Sequence, residues 1–307
     1  MAPAKPISHF FGKTPLARRD ALYGYLFILP QMLGFFAFVL GPLLAVFVFS
    51  TQNRSLLQPG ITFVGLANYE RLLTKDPLFW QVMGNTLVFA GGLVPLNVVL
   101  ALVLALVVSQ KLRGIVFFRT LYFVPVVTSA VAWAIVWRFL LQGERGTINQ
   151  ILTMIGIEGP NWLRDPGWAM FWVILTRTLK GVGINMIIFL AAIMDLPGEL
   201  FDAASVDGAN GWQRLRHITL PLLAPTTLLV TLLVMIGSLK VFDTVFLMTA
   251  GGPANATLVL VNYIYMVGFQ FFESGYASAL SVVLFLITLG LTLLQWGMRR
   301  RFSYNEQ

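Results

Sequence analysis

The sequence predicts an all-α integral membrane protein with six transmembrane helices, and three observations support this fold class. Hydrophobic residues make up 57% of the 307 residues and charged residues only 11%, whereas about a quarter of the residues in ordinary soluble domains are charged. The hydrophobic residues are gathered into long runs, and a helix needs about 20 apolar residues to cross a bilayer. These runs are also too long and too uniformly apolar for outer-membrane strands, which alternate over about ten residues.

Six runs are long enough to cross a bilayer as helices. Gly or Pro lies inside or close to each run, as at Gly41-Pro42, Pro95 and Pro125. Membrane helices tolerate these residues because neighbouring groups satisfy the backbone atoms that they free. The predicted spans are Leu22–Ser50, Met83–Val108, Ile115–Leu140, Trp168–Met194, Leu222–Leu247 and Ala279–Met298.

The spans divide the chain into four parts. Residues 1–20 form a basic tail, and residues 21–82 hold the first transmembrane helix and an external loop. Residues 83–298 form a core of five helices with a polar loop at 195–221, and residues 299–307 form a second tail. A basic tail before an apolar run is typical of a signal peptide, but this run is too long and lacks a convincing cleavage site. We therefore expect the first helix to be retained.

The distribution of Lys and Arg predicts the orientation in the cell membrane. If the N-terminus lies inside, six of the 21 basic residues fall in external loops and three in apolar runs. The other twelve fall in cytoplasmic segments: Lys5, Lys13, Arg18, Arg19, Lys111, Arg113, Arg119, Arg214, Arg216, Arg299, Arg300 and Arg301. Because cytoplasmic loops are enriched in Lys and Arg, both termini are predicted to be cytoplasmic. The net charge of +8 is then mainly a topology signal, and no nucleic-acid partner is expected.

The chain has few residues that could catalyse a reaction or bind a metal. It has no Cys, and its two His residues, His9 and His217, lie in the first tail and the polar loop. Asp243 is the one clear carboxylate within a predicted span. A membrane hydrolase needs a nucleophile with a base, or a set of metal ligands. No metal, cofactor or catalytic residue is therefore expected.

The polar loop contains the stretch FDAASVDGANGWQRLRHITLPLLAP between two apolar runs. Pro197 suits the first turn of a short helix over Glu199–Asp207, and Gly208 can adopt the left-handed conformation that ends it. A second short helix is predicted over Trp212–Leu220, where apolar residues recur on one face. Two short helices under the cytoplasmic face of the membrane are therefore expected.

The spacing of residues in this loop resembles the signature of binding-protein-dependent ABC importers. That signature is Glu-Ala-Ala, three residues, Gly, nine residues and Ile-x-Leu-Pro. The corresponding residues here are Asp202, Ala203, Ala204, Gly208, Ile218, Leu220 and Pro221. Asp202 in place of Glu keeps the charge and shortens the side chain by one methylene. The resemblance implies that these residues form an ATPase-coupling motif.

Other stretches look like the sugar-importer permeases of the maltose-transporter type. They include FVGLANYERLL, FFRTLYFVP, GINMIIFLAAIMDLPGELFDAASVDGA, VFDTVFLMTAGGPANATLVLVNYIY and GYASALSVVLFLI. The resemblance implies the type I permease fold of ABC importers, with residues 83–298 as the permease core and 195–221 as its coupling loop. It also implies a second permease subunit, two ATPase subunits, an external solute-binding protein and a sugar or polyol substrate. Hydrolysis of ATP is then expected on the ATPase subunits, not on this chain.

Polar residues within the spans are candidates for the substrate path. Arg177 and Lys180 lie in the fourth run, and Lys240 and Asp243 lie in the fifth. Such residues are costly in hydrocarbon and are expected to face a cavity or one another. Lys240 and Asp243 could form an ion pair if their segment is helical, and Asn185 suits a hydroxyl-rich ligand. Lys180, Asn185, Lys240 and Asp243 are the predicted path residues, and structural contacts between helices are the alternative for each.

Three other functions stay open at this point. The chain could be an ABC permease for a solute that is not a sugar, a polytopic membrane enzyme, or a channel or scaffold. A channel or scaffold would have no reason to hold the predicted helix pair. The solute itself cannot be named, because the residues of a pocket come from several spans.

Overall fold

A computed structural model describes residues 15–57, 60–110 and 114–302. Some predictions fall outside the described residues, namely those on Lys5, His9, Lys13, Lys111, Arg113 and residues 303–307. The described residues are helical apart from one two-stranded hairpin and the connections between elements. The predicted all-α class is confirmed.

The first helix is long and lies largely apart from the rest of the molecule. α1 (Pro15–Phe35) continues through a π-helical turn (Phe36–Leu40) into α2 (Gly41–Ser50). The stretch Arg19–Ser50 has the length and hydropathy of a membrane span, yet 0% of its most apolar window is buried. Its main contact with the other spans is made by α2, against α15 (Ser274–Phe302).

A hairpin and a short helix follow the first span. β1 (Gln52–Arg54) pairs antiparallel with β2 (Ile61–Phe63). α3 (Ala67–Glu70) continues into a π-helical turn, Arg71–Lys75. Asn68 Nδ2 donates to the carbonyl oxygens of Ser50 and Gln52 at 2.8 and 3.0 Å, so this segment is tied back to the end of α2.

Two long helices begin with the same N-terminal cap, an Asp followed by a Pro. α4 (Pro77–Val108) follows Asp76, whose Oδ1 accepts from Leu78 N at 2.9 Å, and α8 (Pro166–Met194) follows Asp165, whose Oδ1 accepts from Gly167 N at 2.8 Å. An N-terminal carboxylate satisfies an unpaired N–H group and complements the helix dipole. Pro at the first position lacks the N–H that would otherwise be unpaired.

The centre of the molecule is the contact between α4 and α8. Their facing side chains, together with side chains of the other spans, form one apolar cluster. Its largest fully buried members include Phe89, Val173, Met186 and Phe189.

The predicted third span is a bent pair of helices. α5 ends at Val127 (Ile115–Val127) and α6 begins at Ala130 (Ala130–Leu140), with a bend of 108° between them. Pro125 contributes no N–H to the last turn of α5, and Thr128 Oγ1 donates to Pro125 O at 2.7 Å. The predicted span Ile115–Leu140 is therefore formed by two helices rather than one. The loop before α8 contains α7 (Thr147–Met154).

The polar loop folds into short helices between α8 and the fifth span. These are α9 (Gly198–Val206), α10 (Gly211–Arg214), a π-helical turn (Leu215–Thr219) and α11 (Leu220–Leu222). A bend of 63° separates Gly211–Leu222 from α12 (Ala224–Leu239).

The predicted fifth span is interrupted. α12 ends at Leu239 and α13 (Asp243–Met248) begins four residues later. Asn262 Nδ2 donates to Phe242 O in the break at 3.3 Å, which partly satisfies the backbone there. The predicted span Leu222–Leu247 is therefore formed by two helices, because the chain leaves helical geometry at Lys240.

The last part of the chain returns to a long helix. α14 (Leu260–Tyr265) continues into a π-helical turn (Met266–Gln270), and α15 follows. By length and composition, four helices of the described residues could cross a membrane, or up to six if each bent pair is one span.

Candidate functional site

The two short helices of the polar loop are joined by a fully hydrogen-bonded turn. Gly208 has a φ of +74°, and Ala209 N donates to Ala204 O at 2.9 Å. Asn210 and Gln213 cap α10 reciprocally, each side chain accepting from the backbone N–H of the other at 2.9 and 2.8 Å. Gly208 therefore has the left-handed conformation predicted from the sequence, and the turn holds α9 and α10 at a fixed angle.

The outer face of this helix pair is apolar and uncovered. Val206 is 89% exposed and Trp212 is 67% exposed. Asp202 and Ala203 are also exposed, and Ala204 is half-buried. A face of this kind, at the end of a bundle, is typical of a surface that another protein covers.

The second half of the predicted motif connects the pair to α12. Ile218 is half-buried, while Leu220 and Pro221 are exposed. Leu223, directly before α12, is only 1% exposed. A displacement of the helix pair would therefore reach the buried start of α12 through one short helix.

A cavity of about 260 Å³ lies between α4, α8 and α12. Its polar lining includes Asn97, Arg177 and Asn185. Asn185 Nδ2 donates to Asn97 Oδ1 at 2.6 Å, and Asn97 Nδ2 donates to Thr178 O at 3.3 Å. Arg177 Nε is buried and has no hydrogen-bond partner. The cavity thus joins two amides held in place to one guanidinium whose buried nitrogen is unsatisfied.

Lys180 lies on α8 but bonds to the break between α5 and α6. Its Nζ donates to Pro125 O at 3.0 Å and to Thr128 O at 2.9 Å. The last carbonyl groups of a helix lack intrahelical partners and attract positive charge. Nearby, a Cβ on Gly183 would lie 2.1 Å from Tyr122 O, so α5 approaches α8 where only Gly fits. Lys180 thus stabilises the bend of the third span.

Lys240 and Asp243 point to different surroundings. Lys240 is exposed and lines a cleft of about 320 Å³ with Ser281, Thr288 and other residues of α15. Asp243 Oδ1 accepts from Thr244 N at 2.8 Å at the start of α13, and its carboxylate is close enough to Lys180 for an electrostatic attraction. The ion pair between Lys240 and Asp243 is not formed among the described residues, because the break in the helix separates them.

The structure therefore separates the four predicted path residues. Asn185 lies on the central cavity, Lys180 and Asp243 lie near the bend of the third span, and Lys240 lies on the cleft beside α15. Sequence reasoning did not single out Asn97. Its signal was available, since it is one of only two amide side chains, with Asn85, within the apolar run of the second span.

A second polar cluster lies at the ends of the spans that are away from the polar loop, which we call the outer ends. Asp76 Oδ2 accepts from the hydroxyl groups of Tyr263 and Tyr276, both at 2.5 Å. Arg71 Nη1 pairs with Glu273 Oε2 at 2.6 Å, and its guanidinium lies 4.1 Å from the ring centre of Tyr276. This cluster ties the start of α4 to the start of α15.

The charge on Asp76 is stabilised by its donors. Burial would raise the pKa of Asp76, but the hydrogen bonds from Tyr263, Tyr276 and the backbone N–H groups of Leu78 and Phe79 outweigh it and lower the pKa. Burial and the bond to Asp76 raise the pKa of Tyr263. The carboxylate is therefore charged and the Tyr263 hydroxyl is protonated at neutral pH.

A larger cavity of about 600 Å³ opens beside the start of α8. It lies between α6, the chain before α8, and α13. Its polar side chains are Arg138, Gln142, Asn161, Arg164 and Thr249. We call it the outer cavity, and the space around Arg177 the central cavity.

Comparison with known proteins adds to this geometry. Residues 97–304 match the family model described as "Binding-protein-dependent transport system inner membrane component". The chain is 37% identical over 295 residues to a lactose transport system permease protein of Rhizobium radiobacter, covering 94% of this chain and 97% of that protein. It is 34% identical to an arabinooligosaccharides transport system permease protein of Bacillus subtilis, covering 93% and 92%.

The fold is similar to that of a solved bacterial transporter. One chain of an ABC transporter involved in the import of the acidic polysaccharide alginate superposes with a TM-score of 0.83. The match has 26% sequence identity and covers 93% of this chain and 97% of the other.

Proposed function

This chain belongs to the family of binding-protein-dependent transport system inner membrane components, and we propose that it carries a sugar or related polyol through the membrane. As a family member it is a permease subunit of an ABC importer, an integral inner-membrane protein that works with a solute-binding protein and an ATPase. The chain is thus a transport subunit, so the alternative of a membrane enzyme is wrong.

The observation that supports a sugar substrate is the similarity over nearly the whole chain to named sugar permeases. The match to the lactose permease covers 94% of this chain, so it is not confined to one segment. The solved relative is named for an acidic polysaccharide. These names favour carbohydrate and leave the charge of the solute open.

We propose a second permease subunit as the partner within the membrane. The first helix supports this, because 0% of its most apolar window is buried in the chain itself. An apolar helix that leaves its own bundle can be covered by lipid or by a neighbouring subunit. Two ATPase subunits would complete the assembly, one for each permease.

The proposed topology has six spans and both termini in the cytoplasm. It rests on the distribution of Lys and Arg, with α5 and α6 together forming the third span and α12 with α13 forming the fifth. The proposed division into 1–20, 21–82, 83–298 and 299–307 follows. Reporter fusions after Gln110, after Gly211 and at the C-terminus should all report a cytoplasmic location. An external signal at Gly211 would contradict it.

The proposed ATPase-coupling site is the helix pair, which consists of α9 as one member and of α10 with the following turn and α11 as the other. Asp202, Ala203, Ala204, Gly208, Ile218, Leu220 and Pro221 are its motif residues. The exposed Val206 and Trp212 supply apolar surface for a partner, and the small Ala side chains allow close approach. Asp202 is exposed and can offer its carboxylate to a donor on the ATPase.

Cross-linking tests the coupling site directly. The chain has no Cys, so the A204C substitution introduces a single cross-linking site. The control is Q150C, which lies in α7 on the proposed external side. In the assembled importer, A204C should cross-link to the ATPase subunit and Q150C should not. An active complex in which A204C never cross-links to the ATPase would falsify the coupling site.

The Gly208 turn allows a matched pair of variants. Gly208→Val forces a β-branched residue into a φ of +74°, which is costly. At Gly211 the backbone does not have a positive φ and an added Cβ would meet no atom within 4 Å, so Gly211→Val is the control. Gly208→Val should insert in the membrane but lose transport, and Gly211→Val should retain most of it. Equal transport by the two variants would contradict the role of the turn.

The path proposal keeps Lys180, Asn185, Lys240 and Asp243 as its candidates, with at least one of them lining the solute path. Asn185 has the strongest support because it lies on the central cavity. Each residue is replaced with Ala, and uptake is measured together with the amount of permease in the membrane. Normal uptake by all four variants at normal amounts would place the path elsewhere.

The solute itself is tested with the complete importer in proteoliposomes. Uptake of labelled mono- and oligosaccharides driven by ATP should depend on the solute-binding protein. Uptake of a solute that is not a sugar, with no uptake of any sugar, would favour the alternative of a permease for another solute.

A further inference from the structure

The central cavity contains a cation that the protein leaves unpaired. Arg177 lies near the middle of α8, and its Nε is buried without a hydrogen-bond partner. The ion pairs of the described residues do not involve it. Arg177 as a whole is half-buried and lines the central cavity, so its guanidinium can donate to a group that is present only during function.

The neighbours of Arg177 leave space for such a group. A Cβ on Gly181 would lie 3.5 Å from Asn97 Nδ2 and 3.6 Å from Arg177 Nη1. Gly181 lines the central cavity, and its missing side chain leaves these two nitrogen donors next to the cavity. An acceptor-rich group in this space could receive hydrogen bonds from the guanidinium in the forked geometry that suits carboxylate and phosphate.

The outer cavity, like the central cavity, is lined by positively charged side chains. Arg138 and Arg164 line it, and neither it nor the central cavity is lined by Asp or Glu. Arg164 and Arg177 are 13 positions apart in the chain, which is about 20 Å along a helix. Asp243, the carboxylate in this part of the membrane, is engaged by Thr244 N and attracted to Lys180. Both cavities are therefore lined by Arg, and no Asp or Glu is among their described lining residues.

We propose that the solute carries an oxyanion, so that the substrate class is an acidic or phosphorylated sugar, with Arg177 as the residue that selects for it. This rests on the proposed function as a sugar permease. Arg138 and Arg164 raise the local concentration of the anion at the entrance, and Arg177 binds it between α4, α8 and α12. Asn97 and Asn185 serve hydroxyl groups of the same sugar.

The test uses the complete importer, with its own binding protein, in proteoliposomes. Three labelled probes are compared: a uronic-acid oligosaccharide, a hexose phosphate, and a neutral oligosaccharide. The wild type should take up one of the two anionic probes in preference to the neutral one. Which of them is taken up distinguishes carboxylate from phosphate.

Variants then assign the selectivity to Arg177. R177Q should reduce uptake of the anionic probe about ten-fold or more, because a charged hydrogen bond is lost, and R177K should reduce it less. R145Q is the matched control, since Arg145 is exposed and does not line either cavity. The double variant R138Q/R164Q should slow uptake at low ionic strength and weaken its dependence on salt.

The outcomes are separable. Wild-type uptake of the neutral sugar alone overturns this inference and leaves the proposed function intact. Uptake of no sugar of any kind overturns both. If R177Q takes up the anionic probe normally, the guanidinium does not select for charge. If R177Q fails to co-purify with the second permease subunit, its counter-charge lies on that subunit and the inference is wrong.

Discussion

The outer polar cluster and the central cavity both contain an Arg side chain, but only the Arg of the outer cluster is paired with a carboxylate among the described residues. At the outer ends of the spans, Asp76 receives two Tyr hydroxyl groups and a backbone N–H group, and Arg71 pairs with Glu273. In the central cavity, the Nε of Arg177 has no partner. A satisfied network holds elements together, whereas Arg177 lines a cavity that has no Asp or Glu among its described lining residues.

The difference follows from where each cluster lies in the chain. The outer cluster joins α4, α14 and α15, which must stay in register for the bundle to form. The central cavity lies where α12 meets α4 and α8, next to the helix that the polar loop would move. We therefore expect structure and transport to depend on separate polar groups, and variants can test this separation.

The largest expected effect on stability is that of Asp76→Ala. It leaves two Tyr hydroxyl groups without their acceptor and removes the N-cap of α4, so the free energy of unfolding should fall by about 2–4 kcal/mol. Thermal unfolding in detergent measures it. Asp165→Ala is the control, because Asp165 caps α8 with one bond and should lose only about 1 kcal/mol. Equal losses in the two variants would remove the special role of the outer cluster.

Lys180→Met should have the second largest effect. It removes the two bonds to Pro125 O and Thr128 O and leaves Asp243 without its nearby cation, at a cost of about 1–3 kcal/mol. Lys240→Met is the control, since Lys240 is exposed. Thermal unfolding of both variants is compared with uptake per molecule. A stable Lys180→Met variant would show that the bend of the third span does not depend on this side chain.

Acid should weaken the outer cluster by a smaller amount. The folded state lowers the pKa of Asp76 below its ordinary value, so its contribution is complete above that ordinary value and is lost as the pH falls through the folded pKa. The stability difference between wild type and Asp76→Ala should therefore shrink in that acidic range. A difference that is independent of pH down to the same range would contradict the stabilised charge.

Glu273→Gln should have the smallest effect. The side chains of Arg71 and Glu273 are 47% and 42% exposed, and ion pairs that are open to solvent contribute about 0–1 kcal/mol. Arg71 also keeps its contact with the ring of Tyr276. Unfolding in low and high salt checks this, because only the ion pair is screened. A loss as large as that of Asp76→Ala would place the centre of the cluster at Glu273.

The structure of the polar loop is largely determined by residues that are close together in the sequence. Gly208, Asn210 and Gln213 determine the turn between α9 and α10 through contacts within six residues, and Gly208 was correctly assigned to the left-handed conformation. The third and fifth spans show the limit. Their runs are also apolar, yet both are broken, and residues from distant parts of the chain bond to the backbone at the breaks: Lys180 at one and Asn262 at the other.

The sequence by itself determined the membrane class, the apolar runs, the family and the position of the helix pair, because these depend on composition and on residues close together in the chain. Only the tertiary structure decided which polar residues meet. It placed Asn185 beside Asn97 and Arg177, Lys180 at the bend of α5 and α6, and Lys240 away from Asp243. A hydropathy pattern records that a polar residue is costly in lipid, but its partner comes from another helix, and the packing of helices alone brings the two together.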